Sequence, residues 1–68
     1  MNFYIEHEQE DDGRWIAEIP SLPGVLCYGD NLREAINNAE ALALRVLAER
    51  IESEQQPLDT IHFVFAAA

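Results

Sequence analysis

The fold is decided by residues 31–53, which read NLREAINNAEALALRVLAERIES. Apolar residues recur there at spacings of three and four, which predicts one long amphipathic helix. Asn31 is the expected N-cap, with Glu34 able to reach back as in a capping box, and we expect the helix to end near Glu52 or Ser53. The apolar stripe is wide enough to cover one face of a sheet; it comprises Leu32, Ala35, Ile36, Ala39, Leu42, Ala43, Val46 and Leu47.

Four short segments around this helix have the alternation of strands. Residues 2–8 and 14–19 are predicted to form a hairpin, because a polar loop ending at Gly13 joins them. Pro20 ends the second strand since it has no N–H to donate, and residues 20–24 are predicted to form a rigid turn. Residues 25–28 and 60–65 are the predicted third and fourth strands, with Pro57 as the stop signal after the helix.

The predicted order is therefore β-β-β-α-β in one domain spanning residues 1–68. Three strands joined by short turns form an antiparallel meander, and a right-handed crossover through the helix places the last strand beside the first. We expect an α+β fold: a four-stranded mixed sheet of order 3-2-1-4, with the long helix packed on one face. The other face has no second helix to cover it.

The charge is strongly one-sided. Thirteen acidic residues against four arginines give a formal net charge of −9. This disfavours direct nucleic-acid binding and anionic membranes, and it suits a basic partner; the alternative is that the charge only keeps the protein soluble. Residues 1–10 lack the pattern of a secretory signal, so we expect a cytoplasmic protein, with the single Cys27 as a small buried hydrophobe.

The ordered motifs resemble the HicB family of antitoxins, in its N-terminal domain, from Phe3 to about Pro57. An aromatic-rich first strand and an acidic turn come first, followed by Trp15-Ile16-Ala17-Glu18-Ile19-Pro20. Next are Leu22-Pro23-Gly24, and Gly29-Asp30 before Leu32-Arg33-Glu34-Ala35. The residues that carry this fold signature are Trp15, Pro20, Leu22, Pro23, Gly24, Gly29 and Asp30.

The resemblance implies a partial ribonuclease-H-like fold without nuclease activity. Members of that family bind and neutralise HicA, a small basic toxin that cleaves mRNA, and many also carry a C-terminal DNA-binding domain. We expect no such domain in these 68 residues, and we expect this domain to occlude a HicA-like toxin with no catalysis of its own. The alternative is an orphan partial ribonuclease-H-like domain with a degenerate nuclease or small-ligand site.

Catalytic and metal-binding chemistry finds little support in the sequence. Glu6 and Glu18 are possible neighbours on the first two strands, but the last strand offers no third carboxylate for a two-metal nuclease. His7 and His62 are out of phase with each other and are predicted on opposite faces of the sheet, too far apart for a shared acid–base site. We therefore expect no catalytic residue, no metal ligand and no cofactor.

Two surfaces are candidates for binding. The first is the group of acidic residues at the hairpin loop, which comprises Glu8, Glu10, Asp11 and Asp12. Their spacing is not that of a calcium-binding EF-hand loop. We expect them either to form a solvated turn or to contact a basic partner. Apolar residues out of phase with the core predict a self-association face, formed by Tyr4, Ile16, Leu26, Tyr28 and Val64. The last strand is also an unprotected edge, so we expect a homodimer or a higher homo-oligomer.

Overall fold

The computed structural model describes residues 1–54 and 60–67. The elements are β1 (Asn2–Gln9), β2 (Trp15–Glu18), β3 (Leu26–Gly29), α1 (Leu32–Glu54) and β4 (His62–Ala67). They form one four-stranded sheet of order β3-β2-β1-β4. β4 pairs parallel to β1, whereas the other two pairings are antiparallel. The α+β class, the element order and the sheet order predicted from the sequence are confirmed; Pro57 lies outside the described residues.

The turns form where the sequence places glycine. Gly13 has φ of 92°, and its N–H donates to the Glu10 carbonyl at 2.9 Å, which closes the β1–β2 hairpin. Gly24 has φ of 88° in the turn before β3. Only glycine adopts such angles at little cost, so both turns depend on it. The Ile19 N–H donates to the Val25 carbonyl at 3.0 Å, which extends the β2–β3 pairing to the rim of that turn.

The helix begins at the predicted cap. The Glu34 N–H donates to Asn31 Oδ1 at 2.8 Å, and Glu34 Oε1 accepts from the Asp30 N–H at 3.2 Å. The Glu34 carboxylate thus reaches one residue further back than a standard capping box requires. One orphan donor of the first turn, the Glu34 N–H, is satisfied in this way.

The core lies between α1 and the face of the sheet that carries Phe3 and Ile5 of β1 and Ala17 of β2. The buried residues of α1 are mostly alanines, and α1 packs most closely against β3 and then β2. At Gly29 the approach is so close that an added Cβ would lie 2.3 Å from the Ala35 nitrogen. Small side chains therefore set the position of the helix over the sheet. The core comprises Phe3, Ile5, Ala17, Ile19, Leu22, Val25, Ala35, Ala39, Ala43 and Leu47.

The fourth strand differs from its prediction in two ways. It runs from His62 to Ala67, not over residues 60–65, because Ala66 and Ala67 continue the ladder opposite Glu6 and His7. Phe65 is in phase with the core residues Ile61 and Phe63, yet it is 56% exposed. The reason is that α1 packs chiefly on β3 and β2, at the opposite side of the sheet.

Candidate functional site

The sheet face turned away from α1 carries the predicted self-association residues. We call it the open sheet face. No other described element covers it, and Tyr4, Tyr28 and Leu26 are all exposed there. Its side chains, brought together by the register of the four strands, include Asn2, Tyr4, Glu6, Glu8, Ile16, Glu18, Leu26, Tyr28, His62 and Val64.

The apolar members of this face lie next to one another across the strands. Tyr4 lies opposite Val64, and Ile16 lies opposite Tyr28. Ile16 is half-buried, whereas the other four of the predicted set are exposed. The structure thus places all five on one face, in two neighbouring groups. Exposed apolar groups of this kind are more often part of a binding surface than single scattered apolar residues are.

Carboxylates separate the two apolar groups. Glu6 lies directly opposite Glu18, and Glu8 lies opposite Ile16. Like charges in directly opposed cross-strand positions destabilise a sheet. None of the three forms an ion pair with a cation within the described part of the chain. The sequence predicts Glu6 and Glu18 as possible neighbours from the period-two alternation of the hairpin, and the register places them directly opposite each other.

The acids of the hairpin loop are less uniform than the sequence suggests. Asp11 is exposed and Glu10 is half-buried. Asp12 accepts from the Arg14 backbone N–H at 3.0 Å and from Arg14 Nε at 2.9 Å. Both hydrogen bonds lower the pKa of Asp12, and the bond from the backbone N–H has the larger effect. Asp12 is therefore already paired, whereas Glu8 is exposed and belongs to the open sheet face.

Arg14 also contacts that face. Its guanidinium carbon lies 4.7 Å from the centroid of the Tyr28 ring, within the range of a cation–π contact. Arg14 therefore bridges the loop carboxylate of Asp12 and the aromatic ring of Tyr28.

The other reactive side chains are apart from one another. His7 is half-buried, with its ring 6.2 Å from that of Trp15, while His62 lies on the opposite face, beside Asn2. Cys27 is half-buried under the helix, and burial raises the pKa of its thiol. Within residues 1–54 and 60–67, no group of three or more His, Cys, Asp or Glu side chains is placed to hold a metal ion. In the same residues no helix has the length and apolar character to cross a membrane.

A groove of about 320 Å³ opens between α1 and β4. We call it the side groove; it is lined by Leu32, Arg33, Ile36, Asn37, Glu40 and Phe65. The sequence does not predict this groove, because the apolar stripe of the helix and the alternation of β4 each indicate burial. The groove exists because these two apolar surfaces meet only at their margins.

The outer edge of β4 adjoins the side groove. The His62 N–H donates to the Met1 carbonyl at 2.9 Å, and the parallel register continues from that bond. Backbone groups of alternate residues in a strand point to opposite sides, so those of His62 and Val64 point to β1 and those of Phe63 and Phe65 point outward. No described strand pairs with this outer side.

The residues of the HicB-like signature have structural positions in this fold. Leu22 is buried, Trp15 is half-buried, and Gly29 allows the close approach of the helix. Gly24 has a positive φ, while Pro20, Pro23 and Asp30 are exposed at the turns around it and at the helix start. No family model, curated protein or solved structure matches the chain. The resemblance to HicB therefore stays a prediction from these motifs.

Proposed function

We propose that this chain is a protein-binding domain that uses its open sheet face to occlude a small basic protein. The observation that carries the proposal is the row of carboxylates within an exposed apolar face, Glu6 opposite Glu18 with Glu8 beside them. A surface that contacts only solvent does not usually carry a group of exposed aromatic side chains. The core of an apolar protein–protein interface, in turn, is usually depleted of acidic residues. This face has both.

The charge pattern selects the chemistry of the partner. The opposed Glu6 and Glu18 carboxylates repel each other in the unbound chain, and an arginine or lysine placed between them would relieve that repulsion. Tyr4, Tyr28 and Leu26 would supply the apolar contact around this pairing. The net charge of −9 would also accelerate association with a basic protein at long range.

The partner that the HicB resemblance implies is a small basic toxin of the HicA type, which cleaves mRNA. In this proposal the domain neutralises the toxin by steric and electrostatic occlusion of its basic surface, with no bond made or broken. The nuclease alternative is less favoured, because the β4 position in the row of Glu6 and Glu18 is Ala66, which has no carboxylate. Three converging carboxylates are what a two-metal site needs.

The proposal is tested with a small basic protein encoded by a reading frame next to that of this chain. Expression of that protein alone should arrest growth and cleave RNA, and co-expression of this chain should restore growth. The double substitution Glu6→Gln and Glu18→Gln should weaken the complex by about tenfold or more, because the charge-assisted contacts of both carboxylates are lost.

A matched control removes two carboxylates from the exposed end of α1 instead. The Glu49→Gln and Glu52→Gln double variant has the same net charge as the sheet variant and should bind like the wild type. The association rate should also fall as salt rises, since charge steering is screened beyond about 8 Å at physiological ionic strength. Equal weakening by the two double variants would contradict the assignment of the binding site to the open sheet face.

A further inference from the structure

We propose that the outer edge of β4 pairs antiparallel with β4 of a second copy of this chain, with Val64 on the two-fold axis. Each surface then has its own partner. The second copy binds the β4 edge, and the open sheet face remains accessible to the basic protein of the proposed function. Three features favour this arrangement: the charge of the two surfaces, the direction of the β4 backbone groups and the exposed Phe65 beside the side groove.

Charge decides which surface suits a second copy. A two-fold dimer presents the same patch on both chains, so a dimer through the open sheet face would bring Glu6, Glu8 and Glu18 of both copies into one interface. Residues 60–67 contain no Asp, Glu, Lys or Arg and no proline. In a chain of net charge −9, this edge is a surface where two copies can meet without bringing carboxylates of the two strands together.

The backbone of β4 is arranged for such pairing. The N–H and C=O groups of Phe63 and Phe65 point outward, as the bond from the His62 N–H to the Met1 carbonyl requires. A two-fold axis normal to the sheet keeps the same face of both chains on the same side. The residue on the axis therefore lies opposite the same residue of the second copy. With Val64 there, Phe63 lies opposite Phe65 of the second copy, and these two outward-pointing residues exchange hydrogen bonds across the interface.

The side chains also fit this register. On the helix side, Phe63 and Phe65 of the two copies would form aromatic cross-strand pairs between the two helices, and Phe65, now 56% exposed, would be covered. The side groove of each copy would lie next to the new strand. On the opposite face, Val64 would pair with Val64 of the second copy, a favourable contact between β-branched side chains.

The expected affinity is moderate. β4 has six residues, and a strand of that length is roughly 20 Å long. An interface of one strand pair and its aromatic side chains is at the low end of specific interfaces, which bury about 1,200 Å² or more. We therefore expect a monomer–dimer equilibrium with a dissociation constant on the order of micromolar.

Disulfide trapping tests the register. In a Cys27→Ala background, Val64→Cys should form an inter-chain disulfide rapidly on mild oxidation, because directly opposed residues have Cα atoms about 4.5–5.5 Å apart, within disulfide range. The matched control is Leu26→Cys in the same background, since Leu26 is 42% exposed and Val64 39% exposed, both on the open sheet face. Faster trapping of Val64→Cys supports the proposal, and equal or faster trapping of Leu26→Cys overturns it.

Sedimentation equilibrium tests the edge without any oxidation. The wild type and Leu26→Lys should both approach twice the chain mass of 7.7 kDa as concentration rises. Val64→Lys should raise the dissociation constant by about tenfold or more, because two ammonium groups would meet at the axis. A wild-type mass of 7.7 kDa at every concentration, or equal effects of the two lysines, would overturn the proposal.

Discussion

The two edges of the sheet are built differently. At the β3 edge, α1 packs against the strand, Gly29 lies against the Ala35 backbone, and the outward carbonyl of Tyr28 accepts from Asn38 Nδ2 at 3.0 Å. The β3 strand has four residues and the β4 strand has six. At the β4 edge no described element covers the strand, and Phe65 is exposed. The sideways position of the helix thus covers the β3 edge and leaves the β4 edge uncovered by any described element.

The largest effect is expected from Gly29→Ala, which breaks the closed edge. The added Cβ would lie 2.3 Å from the backbone nitrogen of Ala35, where no flexible side chain can move aside. The helix must then shift from β3, at a cost of about 3 kcal/mol, much of the stability of a domain this small. Circular dichroism during thermal unfolding measures the loss.

Gly13→Ala is the control for that substitution. Gly13 has φ of 92° but no atom within 4 Å of an added Cβ, so only backbone strain is introduced there. The expected cost is about 1–2 kcal/mol. If Gly29→Ala proved as mild as Gly13→Ala, close approach would not be what holds α1 over β3.

A smaller effect is expected from Asn38→Ala, which removes the side-chain cap from the Tyr28 carbonyl. Asn37→Ala is its matched control, because the neighbouring asparagine is also exposed on α1 and gains the same helix propensity on substitution. Asn38→Ala should be less stable than Asn37→Ala by about 1 kcal/mol, the worth of one ordinary hydrogen bond. Urea unfolding of the two variants gives the difference, and equal midpoints would show that the cap contributes nothing to the closed edge.

The sequence predicts the elements of this fold better than their lateral placement. Local chemistry determines where α1 begins, through Asn31 and Glu34, and where the hairpin turns, at Gly13, so these features were predicted. The exposure of Phe65 was not, because alternation assigns a residue to a face without saying which part of that face the helix covers.

A signal for the helix position was nonetheless present. Alanines recur every four residues at 35, 39 and 43, and Gly29 comes just before the helix. Small residues therefore lie where α1 and the sheet approach each other most closely. The candidate binding surface, likewise, was predictable in part. The exposed apolar residues follow from the strand period, whereas the opposition of Glu6 and Glu18 and the pairing of Asp12 with Arg14 depend on the register of the hairpin.

Amide hydrogen exchange at residue resolution tests most directly the claim that the β4 edge receives a second chain. The outward N–H groups of Phe63 and Phe65 should be protected at high protein concentration and should lose that protection on dilution. The outward N–H groups of Leu26 and Tyr28, at the β3 edge, should exchange at a rate that does not depend on concentration. If the Phe63 and Phe65 amides exchanged rapidly at every protein concentration while the β1 amides stayed protected, pairing of the β4 edge with a second chain would be contradicted.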